Sequence, residues 1–288
     1  MPTYSTPGPI DLAINVSVGA IDVVAGDRGD TVVTVSPTNP AKDADRRGAA
    51  GTTVELDGQR LTVVTPKPRF SLVGPGESVD VRVELPTGSR LTAEIAVGAV
   101  RTEGRLGATR VKALSGGAHL DSTGDLWLRA GHGSVDVVHS DGSVEVTADH
   151  GSIRLGRVAG DALLKASHGS VGVGESGGDL EARLSYGDLE VGRALGSVVA
   201  KTAYGSIRLD EVVSGSVEAE SAYGEVGVGV RAGVPAWLDL ASKNGRVRNE
   251  LEADRAPSGS EPSVSVRART QFGDVSVRRT AEERATLR

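Results

Sequence analysis

The sequence predicts an all-β protein: a single-stranded parallel β-solenoid (β-helix) with coils of about 18 residues and an irregular β-rich N-terminal cap. Three observations predict it. Glycine-led motifs recur at one constant spacing through the middle of the chain, as in "HGS" at His132, His150 and His168. Between those glycines, apolar and polar residues alternate with period two, the pattern of a strand with one buried face. The composition combines 39 Gly in 288 residues with only two Phe, two Trp and four Tyr. A core made from such a chain must consist of small aliphatic side chains on short strands.

Taken in order, residues 1–97 read as the cap. "IDLAINVSVG", "AIDVVAG", "TVVTVSP", "TTVELDG", "RLTVVTP" and "SVDVRVELP" are strand-like, and "SPTNPAKDADRRGAAG" and "TPKPRFSLVGPGES" read as irregular loops between them. The "VGAID" and "VGAVR" turns resemble solenoid corners, so the cap is expected to run on into the solenoid without a break. Residues 98–279 read as the solenoid proper. One series of strands is "GATRVKA", "GDLWLRA", "GSVEVTA", "GDALLKA", "GDLEARL", "GSVVAKT" and "GSVEAES". A second series, half a period out of phase, begins at "HGS" (His132, His150, His168). It continues as "YGD", "YGS" and "YGE" (Tyr186, Tyr204, Tyr223), then at Asn244 and Phe272. Each unit therefore holds two strands, each opened by glycine. Stretches such as "GRVAG" and "GRALG" add either a short third face or a turn. Helical repeats, at roughly 33 to 47 residues, are too long to fit. Residues 250–263 read as a loop insertion before a last coil, and residues 280–288 as a charged tail.

The alternation names the core. Leu126, Leu128 and Ala130 should point inward in one series, and Val135 and Val137 in the other, with the equivalent positions of every later coil. One coil ordered alone cannot offset the entropy of fixing its backbone, so the coils must fold as a stack.

Composition also excludes some functions. A net charge of −6 lacks the basic footprint of a nucleic-acid binder. The absence of cysteine removes disulfides and thiol catalysis. No run approaches the ~20 apolar residues of a membrane-spanning helix. The N-terminal stretch lacks a basic segment followed by an apolar one, so the chain is expected in the cytoplasm.

"VELPTGSRLTAEIAVGAVRTEGRLG", the repeated glycine-led coils and "GVPAWLDLASKNGRVRNELEA…VSVRARTQFGDVSVRR" together resemble the bacterial putative-adhesin family of β-solenoid domains of unknown function. They are most similar to its actinobacterial members, which typically lack a signal peptide. The resemblance covers nearly the whole chain. It implies the solenoid fold and an adhesin-like role, and it carries over no catalytic residue.

Candidate sites follow from the register. His132, His150 and His168 would stack at one corner at about 4.8 Å, which invites a metal reading. The same column continues as Tyr186, Tyr204 and Tyr223, however, and tyrosine continues a ring stack better than a metal site. The six are read as a structural corner stack, with no metal and no cofactor. An outward column carries Lys112, Arg129, Lys165, Arg183 and Lys201, and the neighbouring column carries Trp127 and Leu163 among several glutamates. These seven form a candidate partner-binding ridge for a protein or an acidic polymer, against the plainer reading of a salt-bridged, solvated face. "GVGESGGD" and "VGVGVRAG" imitate phosphate loops, but no helix is expected after either, so they read as corner glycines. Asp136 over Arg154 and Glu190 over Arg208 read as ion pairs between coils. With no clustered acids, the expected function is a non-enzymatic, adhesin-like binding or assembly scaffold. The alternative is a carbohydrate-active lyase or hydrolase on the same fold. Self-association through the solenoid ends is a further expectation, because an uncapped end is an open sheet edge.

Overall fold

The computed structural model of the chain describes residues 2–66, 77–251 and 263–280. The fold is a β-solenoid: parallel strands pair coil upon coil in each of two compact units, Met1–His150 and Gly151–Arg288. The loop expected over residues 65–78 and the insertion at 250–263 lie mostly outside the described residues, and the tail beyond Thr280 lies wholly outside them.

In the first unit the chain forms β1 (Thr3–Ser5), β2 (Asp11–Gly26), β3 (Asp30–Pro37), α1 (Asp43–Ala50), β4 (Thr53–Asp57), β5 (Arg60–Val64), β6 (Val79–Pro86) and β7 (Arg90–Arg105). The two strands expected at "IDLAINVSVG" and "AIDVVAG" are one. β2 turns its corner at Gly19 without leaving the ladder, because Gly19 takes φ +139°, a conformation side chains with a Cβ rarely adopt. β7 repeats the bend at Gly98, in register with Gly19. β5 and β6 flank β2 on one side and β7 flanks it on the other, all parallel. Antiparallel strands then cover the free edges: β3 on β6, β1 on β3, and β4 on β5. Under this cover Leu12, Ile14, Leu61 and Val63 are buried.

The stretch "SPTNPAKDADRRGAAG" is not wholly irregular, since its centre is α1. Asp43 and Asp45 lie in the first turn, where acidic side chains favour a helix N-terminus. Asp45 is buried, and its carboxylate accepts the backbone N–H groups of Asn39 and Ser78 at 3.1 and 3.0 Å, tying the helix to the chain on either side. Its shortness hid the helix from a periodicity argument. The unit continues as β8 (Thr109–Ser115), β9 (Ala118–Thr123), β10 (Leu126–His132), β11 (Val135–Ser140) and β12 (Val144–His150), in parallel register. The predicted inward residues Leu126, Leu128, Ala130, Val135, Val137, Val144, Val146 and Ala148 are all buried.

The second unit alternates two strand types. β14 (Ala162–His168), β16 (Leu180–Tyr186), β18 (Val198–Tyr204) and β20 (Gly215–Tyr223) form one wall. β13 (Ile153–Val158), β15 (Val171–Ser176), β17 (Leu189–Ala194), β19 (Ile207–Val212) and β21 (Val226–Val230) form the other. The "GRVAG"-type stretch belongs to the second strand type. In β13 two successive residues, Gly156 and Arg157, face outward before Val158 turns back into the core. The strand thus bends inward and closes the coil without a separate third strand.

The last two coils do not stack in chain order. β22 (Ala236–Asn244) and β23 (Val247–Asn249) come first in sequence, followed by β24 (Val264–Phe272) and β25 (Val275–Arg279). Yet β24 pairs with β20 on one side and β22 on the other, and β25 pairs with β21 and β23. The final coil of the sequence is therefore inserted inside the stack, and the coil before it forms the outermost layer. Burial follows this order. Val264, Val266 and Ala268 fill a site closed on both sides and are buried, whereas Ala236, Leu238 and Leu240 are only half-buried.

Candidate functional site

The strands of the first wall carry two outward columns. In the first unit, Lys112 lies in register with Arg129, and Arg110 with Trp127. The Arg110 guanidinium sits 3.9 Å above the Trp127 ring centroid, so a cation–π contact covers one face of that ring. In the second unit, one column runs Leu163, Glu181, Val199, Glu218, Arg267 and Asp239, and the next runs Lys165, Arg183, Lys201, Glu220, Arg269 and Ala241. Because β24 is inserted, Arg267 and Arg269 stand directly beside Glu218 and Glu220, an adjacency that reading the repeats in order does not give.

The two columns pair with each other. Arg183 meets Glu181 at 2.7 Å, and Lys201 meets Glu218 at 2.8 Å and Glu220 at 3.3 Å. Arg267 and Arg269 converge on Asp239 at 3.0 and 2.9 Å. Hydrogen bonds from Lys201 hold the Glu218 carboxyl below the ordinary carboxylate range. Glu218 and then Glu220 in turn raise the Lys201 ammonium. Arg269, followed by Arg267, lowers Asp239. Lys165 and Lys243 form no ion pair among the described residues.

Beside the basic column lies an open groove of about 680 Å³. Arg183, Lys201, Glu220, Arg269 and Lys243 border it, and Leu184, Thr202, Ser221 and Thr270 form its floor. The groove exists because the next outward positions are small: Ala203 and Ala222 leave the strand surface bare beside long charged side chains.

One residue beyond the alanines stand the corner rings. In the first unit His132 stacks on His150 with centroids 4.8 Å apart. In the second, His168, Tyr186, Tyr204, Tyr223 and Phe272 stack at 4.9 to 5.0 Å, with ring planes within 7° of parallel. This spacing is the interstrand repeat, so the rings follow the backbone ladder. No group of three metal-ligating side chains occurs among the described residues.

A second set of charges lies on the other wall. Arg157, Glu175, Arg193, Glu211 and Arg231 form a ladder with N···O distances of 3.2, 3.9, 3.0 and 3.5 Å. Sequence reasoning passed over this ladder, although its first four members alternate in sign once per coil. The expected pairing of Arg208 with Glu190 is displaced. The two are in register, but the Arg208 guanidinium donates to Asp210, two residues along its own strand, at 2.6 Å. Residues two apart on a strand share a face, so this acid is the nearer partner. The aspartates of the "GD" motifs are structural: Asp161 and Asp179 each accept the backbone N–H of the next coil at 2.9 Å.

Comparison with known proteins found solved structures of low similarity and one family match. A crystal structure of a putative adhesin from Bacteroides fragilis NCTC 9343 is 12% identical over 97% of this chain and 96% of its own, with a TM-score of 0.41. Another, of a putative adhesin from Parabacteroides merdae ATCC 43184, is 10% identical over 97% and 96%, with a TM-score of 0.36. A putative cell adhesion protein from Clostridium sporogenes ATCC 15579 is 10% identical over 97% and 98%, with a TM-score of 0.24. No curated protein matches the chain. The Toastrack DUF4097 family matches residues 11–286, nearly the full length. The chain belongs to the Toastrack DUF4097 family.

Proposed function

We propose that this Toastrack chain is a non-enzymatic binding scaffold whose working surface is the groove on the second unit, and that its partner is an extended acidic polymer. The observation that carries this reading is the groove itself, a bare floor bordered by four cations, Arg183, Lys201, Arg269 and Lys243, against one acid, Glu220. Lys165 extends the basic column at the next coil. The existing ion pairs at this border are solvent-exposed, and such pairs contribute little. An incoming carboxylate can therefore take the place of Glu181 or Glu218 at small cost. Three successive coils repeat a basic donor, Lys165, Arg183 and Lys201, at about 4.8 Å before Glu220 interrupts the column, which suits a repeating chain better than a compact ligand. Trp127 and Lys112 of the ridge expected from the sequence lie in the first unit and are not needed for this reading.

The groove lining favours binding over hydrolysis. A glycosidase needs a pair of carboxyl groups flanking the bond it breaks. Among the described residues Glu220 is the one carboxylate that lines the groove. The test is binding of fluorescein-labelled poly-glutamate, with dextran as the uncharged control. The wild type should bind the polyanion and lose it as salt rises. Reversing Arg183 and Lys243 to Glu should weaken binding by about tenfold or more with an unchanged melting temperature. Equal binding by wild type and double variant, or equal binding of dextran, would overturn the assignment.

A further inference from the structure

Among the described residues, the outermost coil of the second unit ends in an unpartnered edge. Among the described residues β22 pairs only with β24, and β23 only with β25. The Pro235 carbonyl accepts the Val264 amide at 2.9 Å, so in this parallel ladder the odd-numbered residues bond toward β24. The N–H and C=O groups of Leu238, Leu240 and Ser242 therefore aim at the open edge. The side chains are also incomplete in their packing. Leu238 and Leu240 occupy core positions yet remain half-exposed, Trp237 is 67% exposed, and Val247 is 46% exposed. Over residues 236–244 the edge has no proline and no inward charge, two of the devices that block strand addition, and its charges, Asp239 and Lys243, face outward. The opposite treatment is found in the first unit, where β3 and β4 lie antiparallel over β6 and β5 and bury the aliphatic side chains beneath.

We infer that β22 is a dimerisation strand, pairing antiparallel with β22 of a second copy about a two-fold axis at Leu240. The strand is self-complementary in this register and requires no other partner. Leu240 meets the partner's Leu240 as a hydrogen-bonded pair, which uses the backbone groups that point outward. On the inner face Leu238 meets the partner's Ser242, continuing the apolar layer. On the outer face Trp237 meets the partner's Lys243, placing an ammonium against the ring, and symmetry makes this contact twice. Asp239 meets the partner's Ala241, so no like charges face each other, and Asp239 stays held by Arg267 and Arg269. Shifting the axis by one residue to Asp239 would set two carboxylates directly opposite, which is destabilising. The inference does not depend on the groove: it concerns backbone pairing at the edge, and a chain that binds no polyanion would still dimerise this way.

The test uses sedimentation equilibrium of the full chain over a wide concentration range, together with cross-linking. The chain has no native cysteine, so introduced pairs report without background. The wild type should show a reversible monomer–dimer equilibrium. Leu240→Lys should weaken it by at least about tenfold, since the two lysines would meet at the axis, and should lower the melting temperature of the dilute monomer by no more than a few degrees. The double variant Trp237→Cys/Lys243→Cys should form an intermolecular disulfide on oxidation, because residues facing each other without mutual hydrogen bonds lie about 4.5 Å apart at Cα. Ala241→Cys alone should not, because residue 241 faces itself only in a different register. A wild type that stays monomeric at every concentration would overturn the inference. So would a dimer that persists in Leu240→Lys and gives no cross-link between positions 237 and 243.

Discussion

The corner glycines show how much of this molecule rests on single backbone positions. Gly187 takes φ +139°, and a Cβ built there would collide with the Gly169 carbonyl of the preceding coil. Its amide donates to the Tyr204 carbonyl at 2.8 Å, so the residue cannot shift without breaking the ladder to the next coil. Gly187→Ala therefore combines an unfavourable conformation with a backbone clash, and should cost about 2 kcal/mol or more. A chemical-denaturation midpoint would measure it; a loss comparable to that of an exposed Ser185→Ala control would contradict the argument. A different residue sets the acid response. Arg28 bonds Asp30 on β3 at 2.9 Å and Glu84 on β6 at 2.5 Å, clamping the antiparallel cover, and it holds both carboxyls below their ordinary values. Groups with depressed folded-state pKa stabilise the fold above the ordinary values of 3.8 and 4.5 and lose that contribution as pH falls through and below them. Arg28→Ala should thus lower the melting temperature at neutral pH. The gap from the wild type should close progressively as pH drops below about 4, and a gap that widens in acid would refute the linkage.

At the scale of elements, legibility depended on whether a feature repeats. Strand positions, inward residues such as Val171 and Ile207, and the corner rings could be read because every coil writes them again. The helix α1 occurs once and is short, so its two first-turn aspartates were the only local signal, and they resemble loop residues. The groove was half-legible. Lys165, Arg183 and Lys201 read as one column from their spacing alone, but the places of Arg269 and Lys243 along the groove follow from the pairing of β24 with both β20 and β22. No local pattern encodes which strand lies beside which when two candidates have the same alternation. The ladder from Arg157 to Arg231 was legible and was missed for a different cause. It sits where β13, β15, β17 and β19 bend, so its residues fall out of the period-two count used to assign faces.

For the second unit as a whole, the insertion of the last coil decides which layer is interior. If the coils stacked in sequence order, β22 would be covered on both sides and β24 would be the outer layer. The observed order reverses this: Val266 is 1% exposed between β20 and β22, while Leu240 is half-exposed on the outermost coil. The spacing already hinted at it. The step from Tyr223 to Asn244 is longer than the steps joining His168, Tyr186 and Tyr204, and the step from Asn244 to Phe272 is longer again. That last interval supplies the chain needed to return and lay a coil inside the one before it. Two matched substitutions separate the arrangements. Val266→Asp places an unpaired carboxylate in a closed apolar layer, where an unsatisfied charge costs several kcal/mol, and should prevent soluble, cooperatively melting protein from forming. Leu240→Asp places the same group where water still reaches it and should lower the melting temperature by only a few degrees. Circular dichroism melts of the two variants at low concentration give the answer directly. A tolerant Val266→Asp beside an unfolded Leu240→Asp would mean that the coils stack in the order they are synthesised.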